Sequence, residues 1–170
     1  QFSRSGQRQV SSLDVREELE RTLELAHTHL LHRRITLQRE FSPQLPLVQA
    51  DRQQLRQLFL NLMTNASDAM PQGGVLTLRI RPQPGGDGVE IDIQDTGIGI
   101  RPGDLRQVME PFYTTKTEGK GTGLGLAICR RIVEEHKGSI RIASPGEGQG
   151  TMVKIWLPGS GGSQPEILDE

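Results

Sequence analysis

The sequence predicts an α/β fold in which about five strands and about three helices are mixed along one domain. Three segments have apolar residues at helical spacing: residues 12–33, residues 51–70 and a segment that ends at residue 136. Strand patterns, by alternation or β-branched content, cover residues 35–41, 75–81, 89–95, 139–144 and 151–157. A hairpin-like loop joins 75–81 to 89–95, which predicts that these two strands are antiparallel neighbours.

Composition limits the function classes. With 20 basic and 21 acidic residues the net charge is −1, so bulk charge points neither to nucleic acid nor to a membrane surface. The single cysteine, Cys129, excludes an internal disulfide framework and fits a reducing compartment. No apolar run has the length of a membrane span and no secretory signal opens the chain, so we expect a cytoplasmic protein or the cytoplasmic piece of a larger one.

Three regions are expected along the chain. Residues 1–12 are polar and lack a pattern, which is typical of a linker or the end of a preceding helix. Residues 13–158 contain all the predicted elements and form the domain. Residues 159–170 are of low complexity and are expected to be disordered.

The stretch 95–100 (DTGIGI) places a carboxylate at the end of an apolar strand. Asp95 is followed by Gly97 and Gly99, which let the backbone approach a bound molecule closely. The carboxylate could accept a hydrogen bond from an amine such as that of adenine. The alternative is a strand that ends in an ordinary surface turn.

Three polar side chains share one stripe of the helix at 51–70. Asn61, Asn65 and Asp68 are spaced at i, i+4 and i+7, beside the apolar face. Asparagine is unfavourable inside a helix, and its carbonyl oxygen is a suitable ligand for Mg²⁺. Asn65 is therefore the candidate metal ligand, and a solvated polar face is the alternative.

Two further stretches suit phosphate. In residues 110–120, Phe112 and Tyr113 supply an apolar anchor while Lys116 and Lys120 could close over phosphates, unless this is an ordinary long connection. In residues 121–126 (GTGLGL), three glycines precede a helix, whose unpaired N–H groups and dipole favour an anion. Their spacing fits neither a Rossmann fingerprint nor a Walker A motif.

Four motifs in this order resemble those of the ATP-binding catalytic domain of sensor histidine kinases: residues 61–66 (NLMTNA), 95–99 (DTGIG), 111–116 (PFYTTK) and 121–126 (GTGLGL). The superfamily also holds gyrase, a heat-shock chaperone and mismatch-repair ATPases. The resemblance covers roughly residues 13–158. It implies an α/β sandwich, with helices on one face of a mixed, mostly antiparallel sheet and a flexible ATP lid.

The resemblance also implies roles for the site residues, with ATP and Mg²⁺ as cofactors. Asp95 would bind the adenine amine and Thr151 would support the adenine through water. Asn65 would hold Mg²⁺, while Asn61 and Lys116 would be the catalytic residues at the phosphates. Many kinases of this family have a lysine or arginine where this chain has Asp68. The phosphate contact that this cation would make is therefore assigned to Lys116. The implied nucleotide-binding set is Asn61, Asn65, Asp95, Gly97, Gly99, Ile100, Thr114, Thr115, Lys116, Lys120, Gly121, Thr122, Gly123, Leu124, Gly125, Leu126 and Thr151.

The implied activity is that of a protein-histidine kinase of a two-component system, which transfers the γ-phosphoryl group of ATP to a histidine. Asn61 stands where hydrolysing relatives have a glutamate base, and an amide cannot act as that base. None of the chain's four histidines is followed by an acidic residue, as the family's acceptor is. The acceptor is therefore expected on a separate dimerisation hairpin of the full-length polypeptide.

The expected partners are that hairpin and a downstream response regulator, with a homodimeric full-length protein. This chain itself is expected to be a monomer, with no contact to nucleic acid or membrane. Two alternatives stay open: an ATP hydrolase of the same superfamily, and a nucleotide-sensing module without chemistry.

Overall fold

The computed structural model describes residues 9–100 and 125–160. The predictions for the lid, for residues 1–8 and for 161–170 lie outside this part of the chain. None of the helices described is long and apolar enough to cross a membrane. The elements are β1 (Val10–Leu13), α1 (Val15–His32), β2 (Ile35–Phe41), β3 (Val48–Asp51), α2 (Arg52–Asp68), β4 (Gly74–Pro82), β5 (Val89–Asp95), α3 (Gly125–Glu135), β6 (Ser139–Ala143) and β7 (Thr151–Leu157).

Five strands form one mixed sheet in the order β2-β4-β5-β7-β6. The pair β2 and β4 is parallel, and the other three pairs are antiparallel. The predicted antiparallel pairing of β4 with β5 is confirmed, as is the mixed, mostly antiparallel sheet. Strand β5 is central, so its last residue, Asp95, lies between Leu76 of β4 and Thr151 of β7.

A second, two-stranded sheet was not predicted. Residues 10–12 were assigned to the linker and the chain before Val48 to an extended connection, whereas β1 pairs antiparallel with β3. In β1 only Leu13 is buried, so the strand has no alternating pattern to recognise. The strand forms because β3 offers it backbone partners, a long-range contact that local sequence does not encode.

The helices cover one face of the five-stranded sheet. Alternate residues of β4 and β5, such as Leu78, Ile80, Ile91 and Ile93, are buried in the core with the apolar sides of the helices. The opposite face of the sheet is charged. There Asp92 is held by Arg81 at 3.0 Å and Lys154 at 3.5 Å. The expected sandwich with helices on one face is confirmed.

Asp51 caps the start of helix α2. The Asp51 side chain accepts a hydrogen bond from the Gln54 N–H at 3.1 Å, and the Asp51 N–H donates to Nε2 of buried His136 at 3.1 Å. Nε2 is therefore unprotonated, and Nδ1–H donates to the Ile132 carbonyl at 2.8 Å. His136 thus joins the end of α3 to the start of α2.

Candidate nucleotide-binding site

The Asp95 carboxylate is held at the buried end of β5, where the residue is 8% exposed. Its Oδ1 accepts the Gly97 N–H at 2.8 Å, and the carboxylate also accepts the Thr151 N–H. Burial raises the pKa of Asp95 above its ordinary value, and these two hydrogen bonds oppose the rise. Two N–H donors fix the carboxylate but do not use all its acceptor sites, so it can accept a further hydrogen bond from a ligand.

The first glycine motif packs on the end of α2. The Ile98 N–H donates to the Ala69 carbonyl oxygen at 2.9 Å. A Cβ on Gly97 would overlap that same carbonyl group, so glycine is required here for close approach. This contact brings the loop after Asp95 to the helix that has the two asparagines.

The turn at residues 145–150 holds the same loop from its other side. The Ser144 hydroxyl accepts the Ile100 N–H at 3.0 Å and donates to the Gly150 carbonyl at 2.7 Å. The Gly150 N–H in turn donates to the Gly97 carbonyl at 3.0 Å. Gly99 has φ +72°, and a Cβ on it would overlap the Gly146 carbonyl.

Ser144 and Gly150 support the site although the sequence did not predict a role for either residue. The sequence pattern predicts only that residues 145–150 connect the strands at 139–144 and 151–157. The available signal was the position of this turn directly before Thr151, a residue that the family resemblance places near the adenine. Once β7 is paired with β5, the turn must lie beside the Asp95 loop.

The two asparagines of α2 face the start of α3. Asn61 and Asn65 are half-buried and one turn apart. A Cβ on Gly125 would lie 3.4 Å from Nδ2 and 3.5 Å from Oδ1 of Asn65, so α3 begins directly against this amide. One turn further along α3, the buried Cys129 sulfur accepts a hydrogen bond from the Asn61 side chain.

The residues present fit magnesium. Among the described residues no group of three His, Cys, Asp or Glu side chains could hold a metal ion. Mg²⁺ needs no such group, because it keeps several waters and binds substrate phosphates with only one or two protein oxygens. The half-buried amide of Asn65, beside a glycine that leaves space, could supply one such oxygen.

Asp68, the third polar residue of the stripe, pairs with a cation. Arg33, at the end of α1, approaches its carboxylate at 3.4 Å and donates to the Ser67 carbonyl at 3.0 Å. The negative charge beside the asparagines is therefore partly compensated by Arg33.

The described part of the predicted site forms two connected groups. Asp95, Gly97, Gly99, Ile100 and Thr151 lie together at the end of β5, and Asn61, Asn65 and Gly125 lie between α2 and α3. Ala69 connects the groups. Its backbone N–H donates to the backbone carbonyl of Asn65 at 3.0 Å, and its backbone carbonyl accepts the N–H of Ile98. Leu126 packs partly buried against the core. Thr114, Thr115, Lys116, Lys120, Gly121, Thr122, Gly123 and Leu124 lie outside the described residues.

Known proteins resemble this chain in sequence and in fold. Residues 50–161 match the family model described as histidine kinase-, DNA gyrase B- and HSP90-like ATPase. The sensor histidine kinase ZraS of Escherichia coli is 38% identical over 88% of the chain, and the chain spans 31% of that relative's length. A mycobacterial sensor histidine kinase structure, MprB, superposes with TM-score 0.76 at 30% identity, covering 89% of this chain and 97% of that one. Full-length ShkA in complex with AMPPNP gives TM-score 0.78 at 28% identity, covering 93% of this chain and 34% of that one.

Proposed function

Because the chain belongs to the family of histidine kinase-, DNA gyrase B- and HSP90-like ATPases, we propose that it transfers the γ-phosphoryl group of ATP to a histidine of a two-component sensor kinase. The predicted family and fold are confirmed by the family match and by the MprB structure. The acceptor lies on a helical hairpin outside this chain. A dimeric full-length protein in the cytoplasm, with a response regulator as the next acceptor, is part of this proposal.

The buried Asp95 carboxylate, fixed by two backbone N–H groups, is the observation that carries the proposal. A fixed acceptor at the end of a central strand can take the exocyclic amine of adenine and discriminate against a base that presents a carbonyl there. Thr151, whose N–H already binds this carboxylate, lies next to that position. The AMPPNP bound to ShkA, a protein of the same fold, supports an adenine nucleotide as ligand.

The phosphates would extend from Asp95 along α2 toward the start of α3. Asn65 would contribute its amide oxygen to Mg²⁺, which supplies charge neutralisation for the phosphates when bound. Asn61 would meet the phosphates one turn away. Lys116 is proposed as the cation at the transferred group, and Lys120 as a second cation.

Kinase chemistry suits Asn61 better than hydrolysis does. A general base assists the attack of water on a phosphoryl group by removing a proton, and the Asn61 amide cannot act as that base. A neutral imidazole is already a nucleophile, so transfer to histidine needs mainly positioning and charge neutralisation.

The proposal is tested by mixing the chain with Mg²⁺ and ATP labelled on its terminal phosphate. We expect intact bound ATP, little free phosphate and no labelled protein, because the acceptor hairpin is absent. Steady release of phosphate would instead favour the hydrolase. Failure to bind ATP with or without Mg²⁺ would overturn both, and Asp95→Asn serves as the binding-deficient control.

A further inference from the structure

Cys129 contacts the machinery of the proposed site although it is fully buried. It lies on α3, one turn after Gly125, on the side that packs against α2. Its Sγ is 3.9 Å from the carbonyl oxygen of Leu58, and the Asn61 side chain forms a hydrogen bond with the same sulfur. Leu58 and Asn61 are three residues apart on α2, so both partners face Cys129 from one side of that helix.

The thiol can interact with both partners in only one way. Burial raises the pKa of Cys129 to about 12, so the sulfur keeps its proton at physiological pH. The Leu58 carbonyl can only accept, so the S–H points toward it. The sulfur then has only lone pairs for Asn61, and the amide nitrogen must be the atom that faces it.

We propose that Cys129 is a positioning residue that orients the Asn61 amide, with Nδ2 toward α3 and Oδ1 directed away from the sulfur. One N–H of Asn61 is thereby occupied, while its second N–H and its Oδ1 are presented to the phosphate groups and to magnesium-bound water. The inference rests on the proposed function, because it deepens the role of Asn61 there. It assigns a purpose to the chain's single cysteine that requires neither a thiolate nor oxidation.

Two substitutions separate orientation from packing. Cys129→Val removes the hydrogen bonds and makes the buried side chain larger by about one methyl group, whereas Cys129→Ser keeps a donor and an acceptor in a smaller side chain. We expect Cys129→Val to weaken binding of ATP with Mg²⁺ about fivefold, the effect of one lost neutral hydrogen bond. Cys129→Ser should stay within about twofold of wild type. Adenosine, which reaches only the Asp95 end, should bind both variants as it binds wild type.

A double-mutant cycle tests whether the effect passes through Asn61. In the Asn61→Ala background, Cys129→Val should cause no further loss of affinity. Val133→Ala, another buried position on α3, is the matched control for a loosened helix and should not alter nucleotide affinity. Three results would each show that Cys129 is only a packing residue. They are an equal loss of affinity for adenosine, a loss of affinity that persists in the Asn61→Ala background, and equal losses of affinity in Cys129→Ser and Cys129→Val.

A measurement without nucleotide makes the inference independent of ATP binding. In the nucleotide-free protein, the side-chain N–H resonance of Asn61 should be protected from solvent exchange in wild type and Cys129→Ser. The protection should disappear in Cys129→Val. An unprotected Asn61 amide in wild type would overturn the inference even if ATP binds. Failure of wild type to bind ATP would overturn the proposed function alone.

Discussion

The backbone N–H of Ile98 donates a hydrogen bond to the carbonyl oxygen of Ala69 at 2.9 Å. Ala69 is the cap at the end of α2, where carbonyl groups have no partner within the helix. The loop after Asp95 therefore supplies the missing donor, and the two halves of the site share one backbone contact. A change in this loop should therefore also shift the end of α2, the helix that has the two asparagines.

Gly97→Ala should disturb both halves at once. The new methyl group would overlap the Ala69 carbonyl, so the loop or the end of α2 must move. We expect a loss of about 1–3 kcal/mol in the free energy of unfolding, as overpacking typically causes, together with at least tenfold weaker ATP binding. Urea unfolding and equilibrium binding measure the two effects. Gly86→Ala is the matched control, because only the flexible Gln83 side chain is its close neighbour; equal effects at both positions would contradict the prediction.

Asp95→Asn should change how stability depends on pH. Burial raises the pKa of Asp95 above its ordinary value of 3.8, so the folded protein binds this proton more tightly than the unfolded chain does. The contribution of Asp95 to stability is then greatest below about pH 3.8 and is lost as the pH rises through the folded pKa. As the pH rises from about 3.8 through the folded pKa, the free energy of unfolding of Asp95→Asn should therefore increase relative to that of wild type. Above the folded pKa this difference should stay constant.

Urea titrations at pH steps across the acidic range would measure this slope. Glu147→Gln, at an exposed carboxylate in the turn 145–150, should follow the wild-type profile. A flat difference between Asp95→Asn and wild type would refute the raised pKa. The same variant should bind ATP at least about tenfold more weakly, because its amide replaces a purely accepting carboxylate.

Ser144→Ala should loosen the loop that follows Asp95. The hydroxyl accepts the Ile100 N–H and donates to the Gly150 carbonyl, so its removal leaves both backbone groups without this partner. We expect about 1–2 kcal/mol less stability and several-fold weaker ATP binding. Ser139→Ala, at an exposed position of β6, is the control and should bind ATP normally. Wild-type affinity in Ser144→Ala would mean that the turn does not support the site.

How much was predictable depends on how far apart the interacting residues are in sequence. Local patterns predict both the strand that ends at Asp95 and the helix with Asn61 and Asn65. Apolar residues recur every two positions on one face of a strand and about every 3.6 positions on one face of a helix. The hydrogen bond between Ser144 and Ile100 joins residues 44 positions apart, and no local pattern can predict it. The β1 and β3 pairing has the same character. Predicted roles of the two asparagines stay predictions, because they concern ligands rather than packing.

Glu18 was likewise not recognised as a core residue, although it follows Val15 by three positions and so lies on the apolar side of α1. The residue is 1% exposed, and its carboxylate is bound by Arg52 and Arg56 of α2, each at 3.1 Å. Glu18→Ala would leave two guanidinium groups facing an emptied polar site between the helices. We expect a loss of about 1.5–3 kcal/mol, because charge-assisted hydrogen bonds are lost while the two arginines stay partly exposed to water.

Glu17→Ala is the matched control for Glu18→Ala. Glu17 neighbours Glu18 on the same helix and also pairs with an arginine, Arg21 at 2.9 Å, but both of these side chains are 55% exposed. Water screens such a pair, so its loss should leave the free energy of unfolding nearly unchanged. Urea unfolding of the two variants should therefore differ several-fold in effect. Because α2 has the two asparagines, Glu18→Ala should also weaken ATP binding, whereas Glu17→Ala should not. Equal losses of stability and of ATP affinity in the two variants would show that the burial of Glu18 does not matter for α2.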